Sequence, residues 1–291
     1  MGRAIAEAFP AAMAVFLAGS EAAGLDLVRL CFDAPAEELV ETELQQPALV
    51  ATSLAVLAAL RERGIEPDYV VGHSVGEFAA LAAARAMSTE EAIALVRERG
   101  LAMAEAAREY PGSMAAILGL EDEVVEGLCE GIDRVWPANY NCPGQIVVSG
   151  ENPAVDECCE RAEGEGANRT VKLRVSGAFH TPLVARAAER LRPALERVRF
   201  AEPSATFVST VTAKAEPAQR LGTLLVDQLT GPVKFTQAAG ELMRDGVRTF
   251  VEVGPGNVLS GLLRRIDSSV KAIPVSTPSA LKKLEDTLAS A

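Results

Sequence analysis

Residues Gly72-His73-Ser74-Val75-Gly76 match the G-x-S-x-G nucleophile elbow, a sharp strand-to-helix turn that exposes a serine hydroxyl. Asp68-Tyr69-Val70-Val71 ahead of it reads as a short buried strand, and residues 77–84 behind it read as a helix. Glycines two residues either side of Ser74 let the chain turn without Cβ clashes, leaving the hydroxyl at the positive end of that helix. The bare pattern arises by chance in roughly one chain of this length in ten, so its surroundings must support it. A serine nucleophile needs a base, and the chain has two histidines. His73 adjoins Ser74, where neighbouring side chains diverge, so its expected work is support of the turn. His180 lies 106 residues further on, in the loop-like stretch Val175-Ser176-Gly177-Ala178-Phe179-His180-Thr181-Pro182 just before a helix. It is either an ordinary loop histidine or the general base, and a nucleophile in the same chain favours the base. Arg99 follows the serine by 25 residues, in Leu95-Val96-Arg97-Glu98-Arg99-Gly100. With Leu95 and Val96 facing the core, one of the two arginines can turn inward while the other stays wet. An inward guanidinium beside an acyl-serine could clasp a carboxylate through two parallel hydrogen bonds; the other reading is a plain surface arginine.

Elements of both kinds must position these residues. Helical patterns cover residues 3–23, 47–63, 89–108, 121–131, 153–164, 183–198, 223–229, 236–245 and 258–265. Short apolar strands are expected over 69–71, 113–118, 145–149, 171–175, 206–209 and 249–253. Alternation of strand and helix predicts an α/β fold with a parallel sheet covered on both faces. From about Pro111 to Arg174 the order becomes strand, helix, strand, helix, strand, with Pro111-Gly112 and Gly177 as punctuation. That stretch reads as a small insertion, and a cleft between two lobes would hold a substrate.

Composition narrows the class. With 291 residues, 49% hydrophobic and 23% charged, the chain can bury a substantial core. A net charge of −12, with basic residues interleaved among acidic ones, argues against nucleic acid as a partner. The one local exception is Arg186, Arg190, Arg192, Arg197 and Arg199, either a solvated helix face or a docking patch for an acidic partner. The longest apolar stretches, 47–60 and 78–84, are read as too short to cross a bilayer, and the N-terminus lacks a basic head and apolar signal core. Five cysteines without a C-x-x-C pair predict reduced thiols, no zinc site and a cytoplasmic location.

Several further motifs stand in order beside the elbow: Gln45-Gln46-Pro47-Ala48-Leu49, Arg99-Gly100, Asn139-Tyr140-Asn141-Cys142-Pro143-Gly144-Gln145, Gly177-Ala178-Phe179-His180, residues 228–233 and Glu252-Val253-Gly254-Pro255-Gly256. With them the chain resembles, over nearly its whole length, the malonyl-CoA:acyl carrier protein transacylases and the related acyltransferase domains of polyketide synthases. The resemblance implies an α/β-hydrolase-like lobe, residues 1–110 with 175–291, and an inserted ferredoxin-like lobe, residues 111–174. It implies malonyl transfer from malonyl-CoA to the phosphopantetheine thiol of acyl carrier protein through a malonyl-serine at Ser74, with His180 as base. A backbone carbonyl at Gln228 would orient the imidazole, Arg99 would bind the malonyl carboxylate and Gln46 would line the same pocket. Phe179 before the base resembles the malonyl-selecting form. No permanently bound cofactor or metal is implied, and a monomer serving fatty acid synthesis is expected. Cys142, where serine is usual, is expected only to pack.

In that family a buried strand and a Gly-Gln-Gly-x-Gln turn precede the position matching Met1. Read without them, the chain offers the Val75 backbone amide as its visible oxyanion donor and is expected to leave a sheet edge unpaired; loss of one donor typically costs about 10²- to 10³-fold in rate. Two other readings stand beside the transacylase: a serine hydrolase or thioesterase on a similar fold, and a carrier-binding remnant with little activity. The first lacks its usual late histidine and HGGG-type loop, since no histidine follows His180.

Overall fold

The computed structural model describes residues 1–35, 37–175 and 177–290. Its chain opens with α1 (Arg3–Ala8), α2 (Pro10–Ala23), α3 (Leu27–Phe32) and α4 (Thr42–Arg61), then β1 (Tyr69–Val71), α5 (Gly76–Ala83) and α6 (Thr89–Glu109). The middle runs β2 (Ser113–Leu118), α7 (Asp122–Glu130), β3 (Val135–Cys142), β4 (Gln145–Gly150), α8 (Asn152–Gly164) and β5 (Arg169–Lys172). After it come α9 (Ala185–Glu196), β6 (Thr206–Ser209), β7 (Lys214–Ala215), α10 (Ala218–Asp227), β8 (Val233–Lys234) and α11 (Phe235–Arg244). The chain closes with β9 (Thr249–Val253), α12 (Val258–Ile266), β10 (Lys271–Val275) and α13 (Pro278–Ala289). Ser176, in the loop ahead of His180, lies outside the described residues.

The single helix expected over 3–23 is two, because the residue before a proline is driven out of the helical region: Phe9, ahead of Pro10, is extended at φ −130°. The middle segment holds one strand more than expected, β3, and its strand expected over 171–175 sits at β5. With β3 included, the order β-α-β-β-α-β and the antiparallel sheet β5-β2-β4-β3 make the ferredoxin-like arrangement. The sheet does not stop there, since β8 of the large lobe pairs parallel to β3. The chain enters and leaves this lobe side by side, through a bridge between Pro111 and Gly177. A Cβ on Gly112 would sit 2.5 Å from the Gly150 carbonyl oxygen, so only glycine fits that crossing.

In the large lobe the parallel strands fall into two pieces, β1 with β6 and β9 with β10; β7 adds to β6 antiparallel. Helices flank both. One continuous apolar cluster runs from Ile5 and Phe16 through Leu54, Phe78 and Ile93 to Leu191. A second, including Val208, Phe235, Leu242, Phe250 and Leu263, fills the space under the strands. The helix containing Pro47 starts five residues earlier than expected, so α4 is 20 residues long and apolar enough by composition to cross a membrane. It is instead a core helix, with twelve residues from Gln46 to Leu60 buried.

The crossing of α4 and α6 prepares the site. Pro47 inside α4 cannot donate to the Glu43 carbonyl one turn back, and the Arg97 guanidinium takes that carbonyl at 2.7 Å. Gly100 on α6 lies so close to α4 that an added Cβ would be 2.8 Å from the Glu43 Cα. A capping box between Ser88 and Glu91 fixes where α6 begins. Together these contacts set Arg99, next to Gly100, against Gln46, one turn along α4.

Candidate active site

Ser74 occupies the turn between β1 and α5 with φ at 50°, a left-handed conformation that an L-residue adopts only when its surroundings impose it. The neighbouring glycines contribute unequally. A Cβ on Gly72 would meet the Gly76 carbonyl carbon at 2.1 Å and the Glu77 nitrogen at 2.2 Å, so strand and helix could not close. A Cβ on Gly76 would meet nothing within 4 Å, so the expected steric need for the second glycine is absent. The Val75 amide, aimed from the cap of α5, donates to no acceptor among the described residues.

His180 reaches the serine from the loop before α9, with Nε2 2.8 Å from Ser74 Oγ. Its Nδ1 donates to the Gln228 backbone carbonyl at 2.8 Å, which leaves Nε2 as the acceptor for the serine proton. His180 also has a positive φ, 62°. Burial, with the positive charge of Arg99 second, lowers its pKa to about 3, so the imidazole is neutral.

Of Arg97 and Arg99, Arg99 is the inward one, at 1% exposure. Its NH1 donates to Gln46 Oε1 at 2.5 Å, and its NH2 to Ser74 Oγ and to Gln228 Oε1, each at 3.0 Å. Its Nε is buried without a partner among the described residues. Burial lowers its pKa to about 10, partly offset by the charge of Glu77, so it remains a cation at neutral pH. Gln46, 6% exposed, completes its own bonding through Nε2 to the Met103 sulfur. All six residues expected at the site, Ser74, Val75, His180, Arg99, Gln46 and Gln228, therefore converge. Phe179 is buried beside Gly177, and Cys142 is buried in the cluster under the strands.

Three features of the cluster are not legible in the sequence motifs. The Gln228 side chain takes part as well as its carbonyl, its Nε2 donating to the Ser74 carbonyl at 2.9 Å. His73 hydrogen bonds through Nε2 to Asn141 Oδ1 at 2.8 Å, tying the elbow to β3 of the small lobe. Glu77 is wholly buried beneath the serine. Its signal is compositional: α5 reads Gly-Glu-Phe-Ala-Ala-Leu-Ala-Ala, and a helix that is otherwise apolar all round must bury its one charge. On α9, Arg186 and Arg190 pair with Glu109 and Glu105 of α6, which accounts for two members of the arginine cluster.

A serine, a neutral imidazole held by a carbonyl and a buried guanidinium on a two-lobed α/β scaffold are the groups that serine-dependent acyl transfer requires. The model of the acyl transferase domain matches residues 1–282, and the chain belongs to that family. The malonyl CoA-acyl carrier protein transacylase of Bacillus subtilis is 40% identical over 297 aligned residues, covering 99% of this chain and 92% of that protein. Among solved structures, the MCAT of Streptococcus pneumoniae superposes with a TM-score of 0.94 at 37% identity, covering 99% of this chain and 95% of the other. A malonyl-transacylase in complex with its type II PKS acyl-carrier protein superposes at 0.95 with 36% identity, covering 99% and 94%. The hydrolase reading is not favoured by these relatives.

Proposed function

We propose that the chain transfers a malonyl group from malonyl-CoA to the phosphopantetheine thiol of acyl carrier protein, through an ester on Ser74, and so supplies malonyl carrier for fatty acid synthesis. The observation that carries the substrate assignment is Arg99: a buried cation beside the nucleophile that, among the described residues, has no carboxylate in contact and leaves Nε unpaired. An acyl group bearing its own carboxylate supplies what that cation lacks.

As Ser74 Oγ attacks the thioester carbonyl, His180 Nε2 takes its proton, and the carbonyl oxygen gains negative charge within reach of the free Val75 amide. The tetrahedral adduct collapses, the imidazolium gives its proton to the leaving coenzyme A sulfur, and malonyl-serine remains. The carrier thiol then loses its proton to the same nitrogen and attacks the ester; the Ser74 Oγ–acyl bond breaks, the imidazolium returns the proton to Oγ, and the carrier leaves with the malonyl group as a thioester. Gln228 holds the imidazole through its carbonyl and Gln46 holds Arg99 beside it. A bound malonyl carboxylate also offsets the Arg99 charge that depresses His180, so the substrate raises the basicity of its own base.

The chemistry is complete with serine, imidazole and two thiols, so no resident cofactor is assigned a step. Residues 1–110 with 175–291 form the catalytic lobe in this reading, and 111–174 the lobe that closes over it, joined at His73 and Asn141. Five free thiols fit a reducing, cytoplasmic setting. The test is malonyl transfer to pantetheinylated carrier, followed by the carrier's mass. Wild type should convert the carrier and Ser74→Ala should not; conversion by Ser74→Ala, or none by wild type, would refute the proposal.

A further inference from the structure

Two opposite charges are buried at this site and neither touches an ion-pair partner among the described residues. Arg99 is one and Glu77, at 0% exposure, is the other. A carboxylate taken out of water without a cation needs donors at both oxygens. Glu77 Oε1 accepts from the Thr210 amide at 2.6 Å, the Thr210 hydroxyl at 2.9 Å and the Ser209 hydroxyl at 3.1 Å. Its Oε2 accepts from Gln228 Nε2 at 2.5 Å. The same amide's Oε1 accepts from Arg99. One glutamine side chain thus stands between the charges, its carbonyl toward the cation and its NH₂ toward the anion.

That orientation is dictated by chemistry. A guanidinium has only donors, so Gln228 Oε1 must face Arg99; the Glu77 carboxylate and the Ser74 carbonyl are acceptors, so Nε2 must face them. Bonds in such a chain polarise one another, and both ends are charge-assisted. The backbone of the same residue holds His180.

Resting on the transacylase reading, we propose that Glu77 is a positioning residue that, through Gln228, fixes both the carboxylate clasp at Arg99 and the base at His180. It touches no substrate. Its negative charge sets the polarity of the amide, and the amide sets the guanidinium.

Replacement by the isosteric glutamine cannot be absorbed. Whichever way the new side-chain amide of the Glu77→Gln variant is turned, its NH₂ meets either the Thr210 N–H or the Gln228 NH₂. If Gln228 turns to relieve the second contact, its own NH₂ meets Arg99. One donor-to-donor contact always remains, and a buried group left unpaired corresponds to about 10- to 100-fold in a binding equilibrium. Burial also raises the Glu77 pKa, with the Thr210 and Ser209 donors and Gln228 lowering it in part. Protonation of Glu77 by acid should therefore mimic the substitution. The titratable groups that share its surroundings are Arg99, His180 and His73.

The experiment offers mixed malonyl-CoA and acetyl-CoA to wild type, Glu77→Gln and Thr210→Val across a range of pH, reading acyl-serine by intact mass and folding by circular dichroism. Folded Glu77→Gln should lose about 10- to 100-fold of the malonyl preference. In wild type that preference should fall as acid protonates Glu77. Thr210→Val removes a donor to the ionised carboxylate, so the fall should begin at higher pH. If Glu77→Gln does not fold, Thr210→Val decides: a limb displaced upward supports the role, and one that coincides with wild type overturns it. Equal discrimination by wild type and folded Glu77→Gln also overturns it and leaves the transacylase reading intact. A wild type that takes no malonyl overturns that reading and this one together.

Discussion

Arg99→Lys keeps the charge and removes the fork. The guanidinium spans three acceptors, with NH1 on Gln46 and NH2 on both Ser74 and Gln228. A lysine has one nitrogen on a shorter reach and cannot occupy the NH1 and NH2 positions together. At least one buried amide oxygen, on Gln46 or Gln228, is left without a donor, which costs about 1–3 kcal/mol. A malonyl carboxylate is then held by one point charge instead of two parallel bonds. Taken at the transition state, the loss is about 5- to 150-fold in kcat/KM for malonyl-CoA. Acetyl-CoA has no carboxylate to misplace, so its transfer should change several-fold less. The assay is steady-state transfer to carrier with each thioester separately. Equal losses for both substrates, or a malonyl kcat/KM within about threefold of wild type, would refute the assignment of Arg99 as the carboxylate clasp.

The other predictions are smaller in scope. Ser74→Gly should be more stable than Ser74→Ala by about 1 kcal/mol in denaturant titration, because glycine relieves the positive φ; equal stabilities would show that the turn is unstrained. Gly72→Ala should prevent folding or abolish acylation, whereas Gly76→Ala should leave the melting temperature within a few degrees of wild type. His180, with its pKa depressed to about 3, binds fewer protons folded than unfolded between that value and about 6.5, so its contribution is lost as pH falls. By pH 5 that amounts to about 2 kcal/mol, and His180→Gln should flatten the decline in stability between pH 7 and 5 by that amount. Glu77 and His73 act in both proteins and cancel in the comparison; identical slopes would contradict the neutral, buried imidazole.

The elbow and the candidate base are legible in the sequence because each rests on local chemistry, a turn that needs Gly72 and a serine that needs a base; that chemistry leaves open which of Arg97 and Arg99 turns inward, and the family resemblance alone points to Arg99. The pairing of Gln46 with Arg99 is not written in either segment. It depends on the close approach of Gly100 to Glu43, which joins residues far apart in the chain. The strand β3 is hidden because Val-Trp-Pro-Ala-Asn-Tyr-Asn-Cys has no clean alternation. Its register shifts at Pro137/Asn139 and Tyr140/Cys142 break the two-residue period that would betray it. Asn141 is hidden with it. Pro274 similarly masks β10. Glu77 draws no attention in the sequence because an acidic residue in the first turn of a helix is ordinary on a surface. Only the absence of any other polar residue on α5 marks it as buried.

The most direct test of the central claim is to mix the purified chain with malonyl-CoA in the absence of carrier, quench, and map any adduct by mass spectrometry of proteolytic peptides. One malonyl group on the peptide containing Ser74, discharged on addition of carrier thiol and absent in Ser74→Ala, is the predicted result. An adduct on another residue, or one on Ser74 that water removes as fast as carrier does, would contradict a transacylase built on this serine.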